Sequence, residues 1–208
     1  MYREAIIGFS EAVAPLHCNS TILDSNDART IDAEGAIDLA VTSPPYINAY
    51  DYVRSLRFED MWLGLATDEE LKNSKQSYIG TEISKSFYDE CHYASQSETL
   101  IPIVARIAEV DSKRAAIVNT YFEDMAKNMV AVHEQLKQNG RYVIVVGDSN
   151  IRGQSIPTAK VLAEIAEKNG YLFELSFKYV IRDRYLHLPR GNRGGIIKYD
   201  EILVLKKK

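Results

Sequence analysis

The residues with the most chemical promise are Thr42-Ser43-Pro44-Pro45-Tyr46. Two successive prolines hold φ at about −65° and push the residues before them towards extended backbone, so the loop is stiff where a loop is normally mobile. Neither proline has a backbone N–H, so the segment offers mostly acceptors, namely the Ser43 hydroxyl and the nearby carbonyls. Such a set suits a partner that donates, for example the exocyclic amine of cytosine or adenine. Tyr46 adds a ring on which a planar base can stack, a contact worth about 1–3 kcal/mol per base. The ring carries that role, so Tyr46→Phe is expected to keep most of the function. A bare Pro-Pro-aromatic triplet is usually an ordinary turn, so its setting matters. Here it follows Ile37-Asp38-Leu39-Ala40-Val41, which reads as a buried strand. The loop then begins at the carboxyl end of a strand, where open α/β sheets bind ligands.

The elements needed to position that loop are visible as short apolar runs between polar turns: Ser20 to Leu23, Ile37 to Val41, Tyr142 to Val146, Leu172 to Val180 and Glu201 to Leu205. The unbroken apolar character of Tyr142 to Val146 suits a strand covered on both faces. Between the runs lie helical patterns. One extends from about Tyr121 to Asn139, with Tyr121, Met125, Met129, Val132 and Leu136 on one face and Gly140 as a left-handed stop. Another extends from about Ile156 to Asn169, with Gly170 as its stop. This alternation implies an α/β fold with a mainly parallel sheet and helices on both faces. Residues 51–119 have a weaker pattern and read as an irregular, partly helical insertion.

The chain has 208 residues, 46% of them hydrophobic, and a formal net charge of −4. That balance excludes a protein that coats nucleic acid by charge alone, yet it is uneven. Tyr171 to Lys208 holds nine Lys or Arg against four Asp or Glu, leaving 16 against 25 in residues 1–170. The basic end is the better candidate to face phosphates. Within it, Arg182, Arg184, Arg190 and Arg193 cluster around Gly191-Asn192-Arg193-Gly194-Gly195, a DNA-facing loop or a plain flexible turn. Lys206, Lys207 and Lys208 read as a solvated tail. Cys18 and Cys91 lack any paired spacing, so neither a disulfide framework nor a metal site is expected. No apolar run approaches the length of a membrane span and Met1 to Ala14 lacks the pattern of a signal peptide, so the expected location is the cytoplasm, with no membrane partner.

The Thr-Ser-Pro-Pro-Tyr loop, together with Ile22-Leu23-Asp24-Ser25-Asn26-Asp27 one strand before it, resembles the amino-directed DNA methyltransferase family. The segments Asn48-Ala49-Tyr50-Asp51-Tyr52, Trp62-Leu63-Gly64 and Tyr78-Ile79-Gly80 are similar to those after this loop in a bacterial branch of that family. Gly140 to Asp148 resembles its next strand, and Asp200 to Leu205 its antiparallel closing strand. The likeness runs from about Ser20 to Lys208, and residues 1–208 are then a partial catalytic domain with a Rossmann-like sheet.

The resemblance implies S-adenosylmethionine as cofactor, DNA as partner and methyl transfer to the exocyclic amine of a flipped base, as in restriction-modification systems. Thr42-Ser43 favours cytosine N4 over adenine N6. It assigns Ser43, Pro44, Pro45 and Tyr46 to the base, and Asp27 and Thr42 to the cofactor. The family's acidic-Pro-Phe-x-Gly-x-Gly cofactor loop is missing, and no Gly-x-Gly occurs among the 11 glycines. Three explanations follow: half of a split enzyme whose second subunit carries the glycine-rich loop, a fragment of a longer protein, or a non-catalytic DNA-binding or interaction subunit. Related Pro-Pro-Tyr loops act on RNA bases or protein glutamine, usually with Asn before the prolines.

Overall fold

The computed structural model describes residues 2–14, 20–23, 27–33, 36–47, 52–75, 78–82, 96–181 and 199–208. Its main sheet contains β1 (Ile37–Thr42), β2 (Leu136–Val146), β5 (Tyr171–Val180) and β6 (Tyr199–Lys207), in the order β1-β2-β6-β5. β1 and β2 are parallel, and β6 runs antiparallel to both of its neighbours. The last strand is thus the antiparallel one, as the sequence leads one to expect, but it lies inside the sheet. Between β2 and β5 a small hairpin, β3 (Ser149–Ile151) and β4 (Gln154–Ile156), turns through Arg152 and Gly153 at φ 53° and 78°, the pair of positive angles that a two-residue hairpin turn favours.

The helices are α1 (Tyr2–Val13), α2 (Tyr52–Trp62), α3 (Asp68–Ser74), α4 (Leu100–Val110), α5 (Ser112–Gln135) and α6 (Thr158–Lys168). α5 and α6 pack on the sheet and on each other, and α4 packs on α5. The core between them and the sheet contains Tyr121, Met125, Met129, Leu162 and Ile165 from the helices against Tyr142, Ile144, Leu203 and Leu205 from the strands. Two buried tyrosines keep their hydroxyls satisfied: Tyr142 donates to Asn128 Oδ1 at 2.5 Å and Tyr171 to the Met129 carbonyl at 2.8 Å. Burial raises the pKa of both phenols, because a phenolate there would lose its hydration.

The opposite face is different. Strand partners share a face, so register places Leu39, Val41, Val143, Val145, Ile202, Val204, Leu175 and Phe177 together on it. Leu39, Val41, Leu175 and Phe177 remain 55%, 65%, 44% and 54% exposed. Among the described residues, β1 is an edge strand and its apolar residues on this face are not covered.

Several sequence expectations therefore change. Ile37 to Val41 is a strand, but not a buried one, because β2 is its partner on one side and its other edge has none among the described residues. Residues 20–23 form no strand and Ile22 is exposed. The long helix begins nine residues earlier than its apolar period suggests, at Ser112, where Asp111 accepts from the Arg114 backbone N–H at 3.0 Å. It also ends earlier, at Gln135. Leu136 is buried whether helical or extended, so periodicity could not locate the boundary; its backbone is extended, and Lys207 Nζ caps the helix by donating to the carbonyls of His133 and Leu136. The left-handed turn falls on Asn139, at φ 64°, not on Gly140. Gly140 instead lies in β2 where the chain passes close to its neighbours: an added Cβ would meet the Lys137 carbonyl oxygen at 2.9 Å. Gly170, at φ 89°, does stop α6.

Candidate functional site

The Pro-Pro-Tyr loop leaves β1 at the carboxyl end of the sheet and is anchored at four successive positions. Ser43 is exposed, whereas Pro44 is buried and Ile47 enters the core. Pro45 rests against Gly80, whose φ of 84° is open to glycine and whose missing Cβ would lie 3.2 Å from the Pro45 Cβ. Tyr46, half-buried, donates through its hydroxyl to Asp200 Oδ1 at 2.5 Å. A rigid, acceptor-bearing loop with an exposed hydroxyl at its start and a tethered ring at its end can hold a planar group that carries an amine.

Around this loop the same edge gathers Asp148, at the end of β2, with Tyr199, Asp200 and Glu201 at the start of β6. Tyr199 donates to Asp148 Oδ2 at 3.1 Å, and the Thr158 backbone N–H donates to Asp148 Oδ1 at 3.2 Å, so one carboxylate joins β6 to the first turn of α6. Lys178 Nζ stands 4.2 Å from the centroid of the Tyr199 ring. Sequence reasoning missed Asp148, Asp200 and Gly80 as parts of this edge. Asp200 and Gly80 are 154 and 34 positions from Tyr46; strand order brings Asp200 to it, and packing of the turn at residues 78–81 brings Gly80.

Of the two residues assigned to a cofactor, Thr42 ends β1, half-buried and on the covered face beside Ile144. Asp27 is elsewhere: Arg29 donates to both of its carboxylate oxygens and to Asp124 Oδ2 on α5. The hydrogen bonds from the Arg29 side chain hold the Asp27 carboxyl below the ordinary carboxylate range. Asn128 Nδ2 donates to the Ala28 carbonyl at 2.7 Å and fixes this turn to α5. No described contact joins Asp27 to Thr42 or to the Pro-Pro-Tyr loop. A cavity of about 740 Å³ opens beside Arg29, between α5 and α6, lined by Asn119, Phe122, Glu123, Val130 and Ile165 among others; none of residues 42–46 lines it. Arg182, Arg184, Arg190 and Arg193 lie outside the described residues, as do Cys18 and Cys91. β5 and β6 are paired at Val180 and Tyr199, at the loop's end of the sheet. Among the described residues no cluster of His, Cys, Asp or Glu could hold a metal ion, and no helix is long and apolar enough to cross a membrane.

The chain is similar to Type II methyltransferases. It is 28% identical to M.MvaI of Kocuria varians, a match covering 81% of this chain and 40% of that protein, and 27% identical to M.AvaI of Nostoc sp. strain PCC 7120, covering 66% and 31%. It thus spans well under half the length of the curated relatives it matches. No family model matches it. Among solved structures, TTHA0409 of Thermus thermophilus, a proposed DNA modification methylase complexed with S-adenosyl-L-methionine, shares 20% identity at a TM-score of 0.35, over 43% of this chain and 38% of that one.

Proposed function

We propose that this chain is the base-holding portion of an S-adenosylmethionine-dependent DNA amino-methyltransferase, acting on cytosine N4 in preference to adenine N6. The observation that carries this reading is the anchored loop of residues 43–46 at the carboxyl end of β1. Ser43 and the carbonyl of Pro44 accept from the two amino hydrogens of an extruded base, and Tyr46 stacks on its ring. Extrusion costs a few kcal/mol, which stacking and phosphate contacts offset. Arg182, Arg184, Arg190 and Arg193 supply the phosphate contacts in this reading, and the slope of binding against salt concentration tests them. The similarity to Type II methyltransferases supports the reaction class.

The glycine-rich cradle that the family uses for S-adenosylmethionine is missing from residues 1–208. Gly-x-Gly is absent from the sequence, Gly80 has Pro45 against it, and Asp27 is held by Arg29 on the side of α5. Cofactor binding is therefore assigned to another segment of polypeptide, a second subunit or further chain, that carries the glycine-rich loop. The edge of β1 and the apolar sheet face, both left open among the described residues, support this, since a neighbouring element buries such features in an α/β domain. In this reading residues 1–208 are a partial catalytic domain with an insertion at about 51–119, working in the bacterial cytoplasm at the nucleoid.

The test is to isolate the chain from its host with whatever co-purifies, supply S-adenosylmethionine labelled in the methyl group, and identify the modified nucleoside by mass spectrometry. N4-methylcytosine formed by the complex but not by the isolated chain is expected. DNA binding without methyl transfer by the intact complex would favour a non-catalytic DNA-binding subunit instead, a reading that the same exposed surfaces allow.

A further inference from the structure

The stacking ring of Tyr46 is fastened at its far end. Its hydroxyl donates to Asp200 Oδ1 at 2.5 Å across 154 positions of sequence, and a hydrogen bond to an ionised acceptor is about twice as strong as a neutral one. Asp200 is itself held in a stiff place. It lies in β6 opposite Tyr179 of β5, between Tyr199, whose hydroxyl is bound to Asp148, and Glu201, which pairs with Val146 of β2. On the other side of the loop Pro45 is backed by Gly80. The ring is thus held from below by its backbone and from the side by a carboxylate.

We propose that Asp200 is a positioning residue of the base site: by accepting from the Tyr46 hydroxyl it sets the plane of the ring on which the base stacks. The proposal rests on the base-holding reading of residues 43–46. A tyrosine free to turn about its side-chain bonds would have to be ordered when the base arrives, and that entropy would be subtracted from stacking. A ring already fixed avoids that cost. The sequence alone leaves the hydroxyl without a role and makes Tyr46→Phe nearly silent. The structure gives the hydroxyl a partner and makes Tyr46→Phe equivalent to the loss of Asp200.

The test uses the full chain and short single-stranded oligonucleotides that carry 5-(furan-2-yl)cytosine, a fluorescent cytosine analogue that keeps the free exocyclic amine, so that no duplex need be opened. Stacking on Tyr46 quenches the analogue, and titration gives both the affinity and the depth of quenching. The parent chain should quench, and Tyr46→Ala should not. Asp200→Ala and Tyr46→Phe should each weaken binding by roughly two- to tenfold, the range of one hydrogen bond, with shallower quenching at saturation. The double variant should be no weaker than either single variant, because both remove the same interaction. Asp200→Asn keeps an acceptor oxygen and should restore most of the quenching. Parental quenching by Asp200→Ala, or an equal loss from Asp200→Ala whether or not Tyr46→Phe is also present, would overturn the proposal while leaving the base site intact. Absence of quenching by the parent, or unchanged quenching by Tyr46→Ala, would instead remove the base-holding reading and the proposal with it.

Discussion

The two faces of the sheet are built from the same kinds of residue and meet opposite surroundings. On one, Tyr142, Ile144, Leu203 and Leu205 are sealed by α5 and α6; on the other, Leu39, Val41, Leu175 and Phe177 stand exposed. Composition along a strand therefore does not tell whether its side chains are covered. The covered face is where the core lies, and the other face is left open among the described residues. The site lies at the boundary between the two: Thr42 belongs to the covered face, whereas Ser43, which begins the loop, is exposed.

The largest effect expected from this difference is on stability. Ile144→Ala should lower the free energy of unfolding by about 2–5 kcal/mol, as large-to-small changes in packed cores do. Val41→Thr and Phe177→Thr, which keep a strand-compatible residue, should stay within about 0.5 kcal/mol of the parent in the isolated chain. Urea denaturation measures all three. A cost for Phe177→Thr equal to that of Ile144→Ala would show that this face is covered after all.

A smaller effect is expected at the loop. Gly80→Ala adds a Cβ at 3.2 Å from Pro45 and places an L-residue at φ 84°, which should cost on the order of 1 kcal/mol or somewhat more. The same variant should impair quenching of the furyl-cytosine probe beyond what its stability change accounts for, because the displaced atom belongs to the loop proposed to hold the base. A normal loop with only a stability loss would reduce Gly80 to a turn residue and weaken the link between packing and site.

Much of this arrangement is legible in the sequence, for physical reasons specific to each element. Tyr142 to Val146 and Glu201 to Leu205 read as strands because unbroken apolar runs suit a sheet interior, and Gly170 reads as a stop because its position after α6 favours a left-handed angle. The motif at residues 42–46 is legible because two prolines restrict the backbone whatever surrounds it. What is not legible depends on partners distant in sequence. The exposure of Leu39 and Val41 follows from which strand lies beside β1, and Leu136 satisfies helix and strand periodicity equally. The tether from Tyr46 to Asp200 requires β6 to insert beside β2, an order that no local pattern encodes. The cofactor assignment of Asp27 likewise comes from likeness alone, and the turn that holds Asp27 faces α5.

In the proposed function the loop at residues 43–46 holds the amine that receives the methyl group. The most direct measurement is the turnover rate of methyl transfer by the native complex carrying Ser43→Ala, with DNA affinity determined in parallel. Loss of an acceptor aimed at the reacting amine should lower turnover by on the order of 100-fold, the effect of removing one preorganised hydrogen-bonding group, while DNA affinity stays at the parental value. Methyl transfer at the parental rate would make the Pro-Pro-Tyr loop a structural turn with no part in the reaction.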